Sequence, residues 1–246
     1  MNLLVCISKT PETTSKIAFA DGNTVFSTDG VQYIMNPYDE WYALVKALEV
    51  KEASGGSVTV INVGPAANDV IIRKALAIGA DEAVRVDADP QSALYVAQQI
   101  AAYAKDKSFD MILTGKETID YSGGLVGGMV AELMGTPFMS FASNLDVADG
   151  KVTATCDIEG GVEVITASLP VVISASKGLA EQRIPNMRGI MMAKRKPLNV
   201  VPPQPADDKV TIKEYALPAE KSGVKLVDPE NMDELVRLLH EEAKAL

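Results

Sequence analysis

The sequence predicts an α/β protein: a three-layer, mostly parallel sheet with an antiparallel addition and an extended C-terminal arm. Three observations carry that prediction. Between Leu3 and Met134, short β-branched apolar runs alternate with helical stretches of about ten to fifteen residues, the pattern of βαβ units. Beyond Thr136 the joints become tight turns, Asp149-Gly150 and Gly160-Gly161, between strand-like stretches. After Ala175 dense hydrophobic patterning fades, and Pro197, Pro202, Pro203, Pro205, Pro218 and Pro229 punctuate the chain.

Taken in order, residues 3–7 read as a first strand, and Asp21-Gly22 predicts a hairpin turn within residues 16–26. Asn36 suits a helix N-cap, Pro37 the first helical position and Asp39 the acid of a capping box. That helix is expected to run to about Ala53 with Trp41, Leu44, Val45 and Leu48 on one face, and to stop at Gly55-Gly56. Residues 58–63 form the next strand, Gly64-Pro65 a tight turn, and residues 68–78 a helix closed by Gly79. A short strand at 83–86, a helix opened by Pro90 and running to Lys105, a buried strand at 110–114 and a glycine-bearing helix at 123–134 follow. Residues 169–175 read as the last apolar strand, within the antiparallel addition to the sheet edge. Residues 197–228 bury little alone and are expected to lie across another surface, followed by an amphipathic helix at 229–245 carrying Met232, Leu235, Val236, Leu238 and Leu239.

The 246 residues, 47% of them apolar, suffice for one large domain or one domain with a tail. A formal net charge of -10 disfavours a general nucleic-acid binder, because phosphate contacts need a basic surface. One local exception exists: Lys177, Arg183, Arg188, Lys194, Arg195 and Lys196 are opposed only by Glu181. No apolar run reaches the roughly 18 residues of a membrane span. Residues 1–10 lack the basic, apolar and cleavage regions of an export signal, so the expected location is cytoplasmic. Cys6 and Cys156 form neither a disulfide framework nor a CxxC pair and are expected to pack as small hydrophobes.

In parallel sheets ligands gather at the carboxyl ends of strands, beside helix N-termini. Three joints qualify: residues 6–9, Gly64-Pro65, and residues 114–129. The third is the richest, since Gly123, Gly124, Gly127 and Gly128 remove side chains where a helix is expected to start, leaving N–H groups free to approach phosphate. Close helix packing is the competing explanation for the same glycines. Neither the dinucleotide fingerprint nor the ATPase loop is present. Catalytic constellations are missing as well. His240, the single histidine, falls on the terminal helix and reads as a surface residue; without cysteine pairing it makes zinc unfavourable. No serine occupies a G-x-S-x-G elbow, and Glu117 and Asp120 are equally well explained by capping and turn contacts. A binding or carrier protein is therefore favoured over a hydrolase. A stand-alone nucleotide-binding stress-type protein would use a similar fold but has no need of residues 176–246.

Several stretches together carry a family resemblance. They are Leu4-Val5-Cys6-Ile7 with Lys9; Asp29-Gly30-Val31 leading to Met35-Asn36-Pro37-Tyr38; Gly64-Pro65; and Arg73-Lys74-Ala75-Leu76-Ala77-Ile78-Gly79-Ala80-Asp81. Gly115-Lys116 with Ile119-Asp120 and Gly127, Asp157-Ile158-Glu159-Gly160-Gly161, Leu169-Pro170, and Gly189-Ile190-Met191-Met192-Ala193-Lys194 complete the set. In this order and spacing the chain resembles the β subunit of electron transfer flavoproteins over nearly its whole length.

The resemblance implies an adenine-nucleotide α-hydrolase-like fold and a 1:1 heterodimer with an α subunit that holds the redox-active FAD. It implies an electron carrier rather than a self-contained enzyme, taking electrons from acyl-CoA or related dehydrogenases in fatty acid oxidation and passing them to a membrane-associated or soluble acceptor. This chain would bind a structural AMP, or a second FAD in electron-bifurcating members. The implied nucleotide contacts are Cys6; Asn36, Pro37, Tyr38 and Asp39; Val63; and Ile119, Asp120, Ser122, Gly123, Gly124, Leu125, Val126, Gly127, Gly128 and Met129. Residues 1–196 would be the nucleotide-binding domain, including a partner-recognition loop at 184–194 with Met187 at the family's leucine position. Residues 197–246 would be the arm that packs on the α subunit. The chain departs from the family at Glu117 and Thr118, which replace Gln-Ala, at Ser122, Leu125 and Gly128 in the loop, and at Cys156, which replaces a basic residue.

Overall fold

The computed structural model describes residues 1–220 and 223–245. In chain order the strands are β1 (Asn2–Cys6), β2 (Lys9–Pro11), β3 (Phe19–Ala20), β4 (Val25–Phe26), β5 (Tyr33–Met35), β6 (Ser57–Val63), β7 (Glu82–Val86), β8 (Met111–Gly115), β9 (Phe138–Ala148), β10 (Lys151–Ile158), β11 (Gly161–Ser168), β12 (Val171–Ala175) and β13 (Leu198–Val201). The helices are α1 (Asp39–Ser54), α2 (Asp69–Ile78, preceded by the 3-10 turn Ala66–Asn68), α3 (Ala93–Lys105), α4 (Val126–Met134), α5 (Met187–Ala193) and α6 (Met232–Glu241).

Nine strands form one sheet in the order β11-β10-β9-β12-β8-β1-β6-β7-β13. Neighbours are parallel except within the β9–β10–β11 meander, where Asp149 and Gly150 turn one hairpin and the Glu159-Gly160 corner the next. Two short antiparallel ribbons, β2–β5 and β3–β4, stand apart from it. The β3–β4 pair flanks the turn read at Asp21-Gly22.

The strands alternate their side chains between two cores, as period-two geometry requires. Leu3 and Val5 face Leu44, Ala47, Ile72 and Leu76 of α1 and α2, while Leu4 and Cys6 face Ala97, Ile100, Val130 and Ala131 of α3 and α4. Both layers are thus filled, and the central strands read as continuous apolar runs because neither face meets water.

Some element boundaries differ from the sequence reading. α1 begins at Asp39 behind Tyr38, with Asn36 and Pro37 outside it, because the Asn36 side chain is drawn into tertiary bonds instead of capping. α3 begins after Ser92, whose hydroxyl accepts the Tyr95 N–H at 3.2 Å, and Pro90 lies upstream. α4 begins at Val126; Ser122 (φ 47°) and Gly124 (φ 60°) are left-handed, which no helix accommodates. β12 belongs to the sheet interior, parallel to both β8 and β9, not to the antiparallel addition. β13 follows it and extends the far edge parallel to β7. α6 is shorter than expected, starting after Asn231, whose side chain accepts the Glu234 N–H.

Beyond β13 the chain first lies on its own domain. Gln204 and Gln99 exchange two hydrogen bonds, Asp208 accepts the Gln91 N–H at 2.6 Å beside the start of α3, and the Tyr215 N–H reaches Asn23 O at 2.7 Å. The 197–246 span also includes Lys221, Ser222 and Leu246, which lie outside the described residues. Among the described residues no helix is long and apolar enough to cross a membrane.

Candidate functional site

Strand order reverses between β1 and β8: the chain proceeds from β1 outward through β6 and β7 on one side, and through β8 and β12 on the other. Such a switch point opens a crevice at the carboxyl ends of the strands. The chain segments that leave those ends meet there and are tied to one another.

Asn36 is the knot. Fully buried, it donates from Nδ2 to Glu117 O at 3.0 Å, accepts the Ile119 N–H on Oδ1 at 3.0 Å, and gives its own N–H to Ser8 O at 2.9 Å. It thereby joins the end of β5 to the segment after β1 and to the loop after β8. Ser8 in turn donates its N–H to Glu40 Oε2 at 2.7 Å and its hydroxyl to Glu40 Oε1. Gly115 completes the junction, since a Cβ there would lie 2.8 Å from Glu40 Cγ. Across the β1–β6 boundary, Asn68 donates to Asn62, which donates to Ile7 O. A Cβ on Gly64 would collide with the Asn68 amide, which explains the glycine of the Gly64-Pro65 turn.

The four glycines of the loop separate by role. Gly127 is required by packing: its Cβ would come within 2.8 Å of Thr114 Oγ1 and 3.0 Å of Phe138 Cε2. Gly128 makes only ordinary contact with Phe138. A Cβ on Gly123 meets nothing within 4 Å, and one on Gly124 meets only Lys116 O at 3.5 Å, so this backbone edge is open. Among the described residues no side chain caps α4, which leaves the N–H groups of its first turn, Val126, Gly127 and Gly128, without an intrahelical acceptor. Ser122 N–H bonds Thr118 O at 2.9 Å and fixes the turn that presents this edge.

Of the other expected contacts, Cys6 is buried at the end of β1, next to Glu40; Val63 ends β6 in the neighbouring strand; and Asp39 opens α1 beside Lys116 and Glu117. Tyr38 adopts φ 65° and is exposed, as are Ile119, Tyr121 and Leu125, so the rim carries exposed aromatic and apolar groups. Pro37, Asp120 and Met129 lie in the same segments. Burial raises the Cys6 thiol and, together with Glu117, the Asp39 carboxyl; it pushes Glu40 up to about 8, with Asp120 and Asp39 adding to the effect against the Ser8 bonds.

Sequence reasoning did not single out Ser8 as a hydrogen-bond donor, Glu40 or Tyr215. Tyr215 stacks on Phe19 with centroids 5.0 Å apart, and its hydroxyl meets that of Tyr121 at 3.2 Å. With Lys9, Tyr33 and Ile119 these rings border a cavity of about 510 Å³ beside the loop. Only the Phe and Tyr content of these segments hinted at it; the arm's approach is a long-range contact. Among the described residues no group of three metal-ligating side chains gathers, and His240 is exposed on α6.

The basic stretch is only partly free. Arg183 grips Glu52 through two bonds at 2.6 and 2.9 Å, and its carbonyl accepts the Trp41 indole N–H at 3.1 Å. Lys196 caps Leu76 O and Ala80 O at the end of α2, while Arg73 holds Ala193 O and Lys196 O. These ties brace a projection whose apolar side chains Ile184, Met187 and Met191 face solvent, Met187 being 74% exposed.

A sequence model of the electron transfer flavoprotein domain matches residues 23–206. The electron transfer flavoprotein subunit beta of Bacillus subtilis is 36% identical over 260 aligned positions that cover all of both chains. The subunit beta of Syntrophomonas wolfei is 36% identical over 93% of this chain and 90% of its own. The human subunit beta is 32% identical over 98% of this chain and 97% of its own. With a family model that matches most of the chain and relatives that span its full length, the chain belongs to the β-subunit family of electron transfer flavoproteins.

Proposed function

We propose that this chain is the β subunit of a heterodimeric electron transfer flavoprotein, with a structural AMP at the β1–β8 switch point. The observation that carries the nucleotide seat is the open Gly123-Gly124 edge beside the uncapped first turn of α4, held in place by Asn36. Backbone N–H groups at a helix start suit phosphate oxygens without any basic side chain, and the strand order supports an adenine-nucleotide α-hydrolase-like arrangement. Cys6, Asn36, Pro37, Tyr38, Asp39 and Val63 would line one side of the nucleotide. Ile119, Asp120, Ser122, Gly123, Gly124, Leu125, Val126, Gly127, Gly128 and Met129 would form the other.

The FAD held mainly by the α subunit supplies the electron chemistry. This chain's residues offer a rigid platform, partial exclusion of water and a docking surface. Met187, on the braced projection at 184–194, is the apolar anchor for an acyl-CoA or related dehydrogenase; Arg188, Lys194 and Arg195 steer an acidic partner surface towards it. The arm beyond Tyr215 exposes Leu217, Val224, Leu226, Met232 and Val236, which suits packing on the α subunit. A cytoplasmic carrier fits this assignment.

A second FAD in place of AMP is the alternative, favoured by one feature: the aromatic-bordered cavity of about 510 Å³ next to residues 119–121 offers room for a further ring system. Coexpression with an α subunit tests the main reading. A yellow 1:1 heterodimer that accepts electrons from a dehydrogenase supports it; a colourless monomer that hydrolyses ATP overturns it.

A further inference from the structure

Methionine is unevenly placed on this chain. Met35, Met111 and Met139 are fully buried in the core, whereas Met187, Met191, Met192 and Met232 are exposed. Three of those four exposed residues lie in α5, a helix of seven residues.

The helical repeat sorts them by face. Gly189 and Ala193, four residues apart, turn towards α2: a Cβ on Gly189 would lie 2.5 Å from Ala77 O, and Ala193 is buried. Met187 and Met191, also four apart, share the opposite face and are 74% and 67% exposed. The backbone beneath them is held at both ends. Asn186 Oδ1 accepts the Gly189 N–H at 2.8 Å, and Arg73 donates to Ala193 O at 2.8 Å and to Lys196 O at 2.7 Å. Two thioethers are thus presented to solvent on a pinned helix whose attachment runs through other residues.

We propose that Met187 and Met191 are a paired oxidation site, and that oxygen added to them turns off the docking surface of α5. The oxidant is hydrogen peroxide, which dioxygen becomes on taking two electrons and two protons from a reduced flavin. A thioether lone pair attacks one peroxide oxygen, and the S–O bond forms as the O–O bond breaks. The departing hydroxide takes the proton left on the new S–O group and becomes water. Sulfur loses two electrons and the peroxide gains them. The product, methionine sulfoxide, puts a polar, chiral group where a flexible apolar one stood, and sulfoxide reductases return it to methionine. Because Asn186, Gly189 and Arg73 hold the helix, the change alters the surface and leaves the fold intact. The effect on docking rests on the dehydrogenase reading above; the choice of residues does not.

The purified heterodimer is treated with limiting hydrogen peroxide, and this chain's peptides are mapped by mass spectrometry at intervals. Met187 and Met191 should each gain one oxygen ahead of Met232 and of Met35, Met111 and Met139. Oxygen entering Met232 or a core methionine first overturns the site. With both sulfurs oxidised, KM measured with a partner dehydrogenase should rise about tenfold or more, the scale of a lost interface anchor. The melting temperature should stay unchanged, and methionine sulfoxide reductase with a thiol reductant should restore KM. A heterodimer carrying Met187→Leu and Met191→Leu keeps apolar side chains that cannot take oxygen; whatever its starting KM, peroxide should not move it. A double variant that loses docking under peroxide as the parent does overturns the switch. So does an oxidised parent whose KM is unchanged while Met187→Ala raises it. If Met187→Ala also leaves KM unchanged, the docking reading fails instead, and the mass map alone decides the oxidation site.

Discussion

The Asn36 amide oxygen accepts the Ile119 N–H at 3.0 Å across a separation of 83 residues, and its NH₂ returns a bond of the same length to Glu117 O. One buried side chain thus fixes the entrance of the loop after β8. Asn36→Ala leaves a backbone donor and acceptor unpaired. It should cost about 2–3 kcal/mol in chemical denaturation, since a stranded buried polar group costs its desolvation. The same variant should lose its nucleotide on gel filtration faster than the unmodified heterodimer.

The two classes of loop glycine predict opposite phenotypes. Gly127→Ala drives a methyl against Thr114 and Phe138 and should destabilise the fold by about 1–3 kcal/mol, the range of overpacking. Gly123→Ala faces open space; its stability should stay within about 0.5 kcal/mol, while nucleotide retention falls because the methyl occupies the backbone edge. Melting curves with and without added AMP separate the two.

Stability should decline as pH rises from about 5 to 8. Burial pushes Glu40 up to about 8 in the folded chain, from an ordinary value of 4.5. The folded state therefore holds a proton that the unfolded state has released across that interval. Stabilisation is full below the unfolded value and lost as pH climbs through the folded one. Glu40→Gln should flatten this part of the profile in denaturation midpoints measured at successive pH values.

Met187→Ala removes an exposed side chain and should leave the melting temperature unchanged within error. Electron transfer from a partner dehydrogenase should slow about tenfold or more, as truncation of an interface anchor costs 1–2 kcal/mol or above. Steady-state assays should show the loss chiefly as a raised KM for the dehydrogenase.

The alternation of β1 to α4 was legible because strands buried on both faces are continuous apolar runs and the intervening helices keep a 3.6-residue stripe. The joint at Asn36-Pro37 misled for a definite reason: the same asparagine that caps a helix locally is, here, spent on Glu117 and Ile119, and no local pattern reveals a partner 81 residues away. Glu40 reads as an ordinary acid in a first helical turn, where it would complement the helix dipole; only packing against Gly115 and Ser8 shows it to be buried. β13, four residues with exposed Asn199 and Val200, has too weak an alternation to announce itself and depends on the free edge of β7. β12 looked like part of the antiparallel region because it directly follows β11, yet it crosses back to lie between β8 and β9. The glycine loop was visible from composition. Its division into packing and open positions required the neighbours Thr114 and Phe138.

The most direct test of the central claim is to denature the purified heterodimer and count its released nucleotides. The account predicts one FAD and one AMP per αβ pair, with the AMP lost in Asn36→Ala and the FAD retained. A pair that yields FAD from the α subunit and no second adenine nucleotide of any kind contradicts a nucleotide seat at the β1–β8 switch point.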